Sequence, residues 1–147
     1  MQPNFKDFRY LLGDIIVLYQ FVEHDIKMIV AALMNGKFED AYEKVLTDQD
    51  YMGLGKSIKA LKQIEYEKKD RYFSKSDYDL LFDIASRRNH YCHQTALEFG
   101  YVDDFESSPQ FFKEFETLEK DRDYLRKIQP VTEKIRLHIL GKQGVLK

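Results

Sequence analysis

Between Phe5 and Met34 apolar residues recur at positions 8, 11, 12, 15, 16, 18, 19, 22, 26, 29, 30 and 33. Only an α-helix turns that spacing into one continuous face. So long a helix with one broad apolar side must bury that side against other elements. Those elements are helices too, because no stretch shows the sustained apolar–polar alternation of a half-buried strand. Breakers are few, three prolines and seven glycines, and they divide the chain cleanly. Asn35-Gly36-Lys37 stops the first helix with residues suited to a left-handed C-cap. A shorter helix is expected over 38–46, a loop over 47–55, and a helix over 56–68 with Ile58, Leu61 and Ile64 on one side. Ser74 with Asp77 reads as an N-cap whose helix runs to about Phe99, where Gly100 ends it. After a polar loop over 101–110, Ser107 or Ser108 followed by Pro109 opens a last helix reaching Leu140, bent at Pro130. The expectation is an all-α, single-domain bundle of four to five helices over 1–147, with 141–147 as a flexible tail.

The 147 residues are 44% hydrophobic and 33% charged, a globular profile with enough chain for a real core. Net charge is -2 and pI about 6.1, so no global positive field points to nucleic acid, although a local basic cluster suffices for that. A single cysteine, Cys92, leaves no internal disulfide and suits a reducing compartment. The opening MQPNFKDFRY has neither the basic start nor the apolar stretch of a signal peptide. The apolar run within 15–22 is far short of the ~20 residues a membrane span needs. Together these lead to the expectation of a cytoplasmic protein with no membrane contact.

Two stretches resemble chemical motifs. GLGKS at 53–57 looks like the end of a phosphate-binding loop, but Asp50 stands where the leading glycine belongs and no apolar strand precedes it. A turn that opens a helix, with Leu54 as a buried staple, accounts for it better. RRNHYCH at 87–93 gathers two arginines, an asparagine, two histidines, a tyrosine and the cysteine. Structural zinc takes four ligands, and no second pair accompanies His90 and His93, so no metal and no cofactor is expected. Cys92 and His93 point about 100° apart on a helix, which disfavours a nucleophile–base pair. On a wheel stepping about 100° from Tyr78, the residues Leu81, Phe82, Ala85, Cys92, Ala96 and Phe99 share one arc. Asn89 falls inside that arc, with Arg88 and His93 on its shoulders. Arg87, His90 and Tyr91 fall outside it, and Cys92 becomes a packing residue. A polar Asn89 in an apolar arc either ties down a neighbouring loop, with Arg88 paired to an acid, or positions something for function.

The run Arg88-Asn89-His90-Tyr91-Cys92-His93 resembles the R-N-x-x-x-H form of the Rx4–6H motif of the HEPN superfamily (higher eukaryote and prokaryote nucleotide-binding domains). Those are small all-α bundles with the motif on a late long helix, and GLGKSIKAL at 53–61 resembles a helix start found in several bacterial members. The resemblance implies a metal-independent endoribonuclease, often a toxin of a toxin–antitoxin or phage-defence system, acting on RNA as a homodimer. It implies His93 as general base or acid, Arg88 as stabiliser of the phosphorane-like transition state, and Asn89 as the residue that orients them. Imidazole titrates near neutrality and guanidinium offers a planar fork to phosphate, so the chemistry is coherent. The sequence continues Gln94-Thr95 where nucleotidyltransferase-paired toxins carry a tyrosine, which speaks against restraint by adenylylation there; a protein antitoxin is the other partner this family implies. Some members instead serve as non-catalytic modules that bind nucleotide, RNA or protein. Glu23, His24 and Asp25 on the first helix are further candidates to complete a site.

Overall fold

The structure is a computed structural model describing residues 2–69 and 71–145. Among the described residues five α-helices make the fold: α1 (Phe5–Leu33), α2 (Phe38–Thr47), α3 (Leu54–Tyr66), α4 (Lys75–His93) and α5 (Pro109–Lys142). Short 3₁₀ turns lie at Gln49–Tyr51, Thr95–Glu98 and Phe105–Ser107, and there is no strand among the described residues. The all-α bundle expected from the apolar spacing is therefore what forms.

Local chemistry sets the helix starts. Asn4 and Asp7 form a reciprocal capping box on α1, and Ser74 and Asp77 form another on α4. Ser108 accepts from the Phe111 amide while Pro109 occupies the first turn of α5, where a missing N–H costs nothing. Gly53 begins α3 at φ +84°, a conformation that side-chain-bearing residues resist. Leu54 beside it is buried as the expected staple, and the Ser57 hydroxyl donates back to the carbonyls of Tyr51 and Gly53 at 2.8 and 2.9 Å.

Polar contacts fix the packing directions. Pairs between α1 or its flank and α5 or its flank keep a nearly constant separation: Phe5 with Glu106, Asp25 with Thr132, Met28 with Arg136, Ala32 with Gln143. The two longest helices therefore run parallel. Contacts that climb α4 descend its neighbours: Arg87 with Asp121 and His90 with Glu114 on α5, Tyr91 with Tyr19 and Arg88 with Glu23 on α1. α4 is thus antiparallel to both, and α3 is antiparallel to α4, with Glu65 on Tyr78 and Lys62 over Phe82. The core is one cluster including Ile15, Tyr19, Val22, Ile26, Ile29, Leu61, Leu118 and Leu125, closed at one end by edge-to-face Phe8, Phe99 and Phe111. At the centre the Tyr19 hydroxyl donates to the Ile84 carbonyl at 2.9 Å, and burial holds its phenol well above the usual range, so it remains a donor.

Three expectations change. α4 ends at His93, not Phe99, and the chain tightens into the Thr95–Glu98 turn. Gly100 is still required: a Cβ there would lie 2.7 Å from the Ala96 carbonyl oxygen, which its own N–H bonds at 2.8 Å. α5 begins at Pro109 as expected and continues through the exposed Pro130 to Lys142. Residues 141–145 are not a loose tail, because Gln143 donates to the Ala32 carbonyl and Val145 packs against the core. Leu146 and Lys147, the rest of that expected tail, lie outside the described residues.

Candidate functional site

The RRNHYCH stretch forms the last two turns of α4, and its seven side chains go to four places. Tyr91 enters the core at 3% exposure beside Tyr19. Arg87 turns to α5, pairing with Asp121 and with Asp83 one turn back at 3.2 Å. His90 also faces α5, with Nε2 3.1 Å from Glu114 Oε2, an oxygen that also accepts from the Thr95 hydroxyl at 2.9 Å. Arg88 is half-buried on the opposite flank, its Nη1 3.7 Å from Glu23 Oε1 of α1. Asn89, Cys92 and His93 are exposed.

This corrects the orientation drawn from the wheel. Tyr91 is core rather than surface, Cys92 is surface rather than packing, and Asn89 does not sit inside an apolar arc. Arg87 and His90 are engaged with α5 instead of pointing freely to solvent. The inward line is Leu81, Ile84, Arg88, Tyr91, Thr95, an alternation of three and four residues whose phase drifts steadily against a 3.6-residue turn. On a wheel anchored at Tyr78 that line still falls within about 220–300°, so the expected face is turned by about 90° because Phe82, Ala85 and Cys92 define its arc in place of Ile84 and Tyr91. The expected arc also runs past His93, into a 3₁₀ turn where 100° per residue no longer applies.

Of the three motif residues, Arg88 and Asn89 line an open cleft of about 430 Å³ between α4 and the start of α3. Its other walls include Gly53, Gly55, Lys56, Phe82 and Ser86. His93 does not line it. Residues five apart on a helix point about 140° from each other, so one chain presents the arginine and the histidine in different directions. Among the described residues His93 makes no hydrogen bond or ion pair that would hold its ring.

Electrostatics separate the two flanks of α4. On the α5 side, burial pushes the Asp121 carboxyl above its ordinary range, and the Arg87 guanidinium only partly offsets this. That cluster is inward and crowded, with Asp121 Oδ1 held by Arg87 and Oδ2 buried without a hydrogen bond. On the α3 side, Glu23 Oε1 is buried without a hydrogen bond, so Arg88 supplies its counter-charge at a distance rather than a bond. The guanidinium therefore keeps donors free for an anion arriving in the cleft. Of the other first-helix candidates, Asp25 is buried against Thr132 and Arg136 of α5, and His24 lies edge-on to Tyr42. Only Glu23 of the three reaches the motif. Among the described residues no group of three or more His, Cys, Asp or Glu side chains is placed to hold a metal ion. No helix among them is long and apolar enough to cross a membrane.

The cleft's α3 wall is the stretch that fails as a phosphate loop and carries the GLGKSIKAL resemblance, although none of its residues stands among the candidate site residues. Its signal was present: a glycine pair around a leucine, followed by lysine, at a helix start. Comparison with protein-family models, with curated proteins and with solved structures finds no match.

Proposed function

We propose that this chain is a metal-independent endoribonuclease of HEPN type, acting as a homodimer and serving as a toxin in a toxin–antitoxin or phage-defence system. The observation that carries the reading is the presentation of the motif. Arg88 and Asn89 line an open cleft, and His93 stands exposed at the adjacent helix end.

In this reading His93 takes the proton of a ribose 2′-hydroxyl, and the oxygen attacks the neighbouring phosphorus. Arg88 pairs with the non-bridging oxygens as their charge grows, and Asn89 fixes the phosphate by its amide. The P–O5′ bond breaks and the 5′-oxygen takes a proton from water, giving a 2′,3′-cyclic phosphate and a free 5′-hydroxyl, while the His93 imidazolium returns its proton to solvent. Because one chain aims Arg88 and His93 apart, the pair converges on one phosphate when a second copy offers its His93 to the cleft of the first. The exposed polar end of α4 is free to meet a two-fold mate.

Incubating the purified protein with single-stranded RNA in EDTA tests this. Cleavage with cyclic-phosphate ends is expected, and Arg88→Ala or His93→Ala abolishes it while the circular dichroism stays native. Cleavage untouched by either substitution overturns the assignment. A second reading, a non-catalytic module that binds RNA or nucleotide, is favoured by the separation of His93 from the cleft within one chain. It predicts binding that weakens with Arg88→Ala and no cleavage by the wild type.

A further inference from the structure

The groove between α3 and α4 extends well beyond the cleft at Arg88. On α3 the exposed positions Lys56, Lys59 and Lys62 follow one another at intervals of three, so they wind slowly along the helix over about 9 Å. The only acid on that helix is Glu65, which is buried and committed to the Tyr78 hydroxyl and the Tyr72 amide. Lys62 lies 5.7 Å from the Phe82 ring centre and 6.0 Å from that of Tyr78. Phe82 lines the Arg88 cleft, and Tyr78 lines a second recess of about 260 Å³. That recess carries Arg71, Lys75 and Tyr66, the last 73% exposed with the Arg71 guanidinium 5.0 Å from its ring centre. Lys62 therefore joins two recesses into one cationic groove.

Among the described residues none of Lys56, Lys59, Lys62 and Lys75 lies within salt-bridge distance of a carboxylate. Arg87, Arg126, Arg136 and Lys120 each face an acid, whereas among the same residues Lys6, Lys113 and Lys127 are unpaired like the groove lysines. What sets the groove apart is the succession of its cations along one line with aromatic rings beside them. In a chain of net charge -2 the groove thus carries a row of unneutralised cations. Like charges in a row cost stability, and a polyanion relieves that cost by releasing its own counterions.

We infer that the α3–α4 groove is a track for the phosphodiester backbone of single-stranded RNA, running from Tyr66 and Arg71 past Lys62 to Lys56, Arg88 and Asn89. A groove fits an extended strand better than a flat lipid surface, and Tyr66 offers a stacking face for a base. The inference rests on the ribonuclease reading for what happens to the strand, but not for its binding.

The experiment is fluorescence anisotropy with a labelled single-stranded RNA whose riboses are all 2′-O-methylated, so that it binds without being cut. Wild type is compared with Lys56→Glu/Lys62→Glu/Lys75→Glu and with a control of equal charge change, Lys6→Glu/Lys113→Glu/Lys120→Glu. The groove triple is expected to weaken binding by more than about tenfold and to flatten its salt dependence, while the control stays close to wild type. Equal losses in both triples, or no loss in either, overturn the track. So does binding to phosphatidylserine vesicles by a protein that ignores the RNA. Groove-dependent binding without cleavage of unmodified RNA keeps the track and removes the ribonuclease reading. Cleavage that the groove triple leaves unchanged removes the track and keeps the ribonuclease.

Discussion

Tyr91 and Cys92 are neighbours with opposite fates, and the difference is measurable. Tyr91 fills space beside Tyr19 under α1, so Tyr91→Ala is expected to cost about 3–5 kcal/mol in urea unfolding. Cys92 is exposed, so Cys92→Ser stays within about 0.5 kcal/mol and the native thiol reacts with a soluble disulfide reagent. Asp25 gives a test of sign. Burial raises its carboxyl despite the hydroxyl of Thr132 and the guanidinium of Arg136. A folded-state value above the unfolded one means the group's contribution is full in acid and lost as pH rises through the folded value. The penalty of Asp25→Asn should therefore be largest at acid pH and shrink toward neutrality. If the penalty grows with pH instead, the Arg136 pair outweighs burial. None of this was legible from residue type, since a lone acid on an apolar helix face looks the same in sequence whether it meets an arginine or solvent.

At the scale of elements, the caps were legible because they are local chemistry. The Ser74–Asp77 box, the Ser108-Pro109 start and the Gly53 turn each depend on residues within a few positions of one another. Ser74→Ala should cost about 1 kcal/mol. Gly53→Ala should cost about 1–2 kcal/mol although nothing crowds its Cβ, because the penalty comes from φ +84°. Chemical denaturation of the two variants checks both figures. The rotation of α4 was not legible. Its inward line includes Arg88 and Thr95, so apolarity does not mark the face, and phase is decided by what α1 and α5 present to it. That is why the stretch stands out by its composition while the directions of its side chains do not.

Across the whole molecule, the parallel α1 and α5 are registered by buried Asp25 and Thr132 with half-buried Arg136, and the antiparallel α4 carries an ion-paired cluster on one flank and an open cleft on the other. This geometry keeps Arg88 and His93 of one chain apart, and the proposed chemistry then requires two chains. The most direct measurement is RNA cleavage by co-expressed, differently tagged Arg88→Ala and His93→Ala chains, isolated as the mixed dimer. If each site takes Arg88 from one chain and His93 from the other, one of the two sites is intact. The mixed dimer then cleaves at roughly half the wild-type rate while each variant alone is inactive. A mixed dimer as inactive as its parents, beside an active wild type, contradicts the shared site; an inactive wild type contradicts the ribonuclease itself.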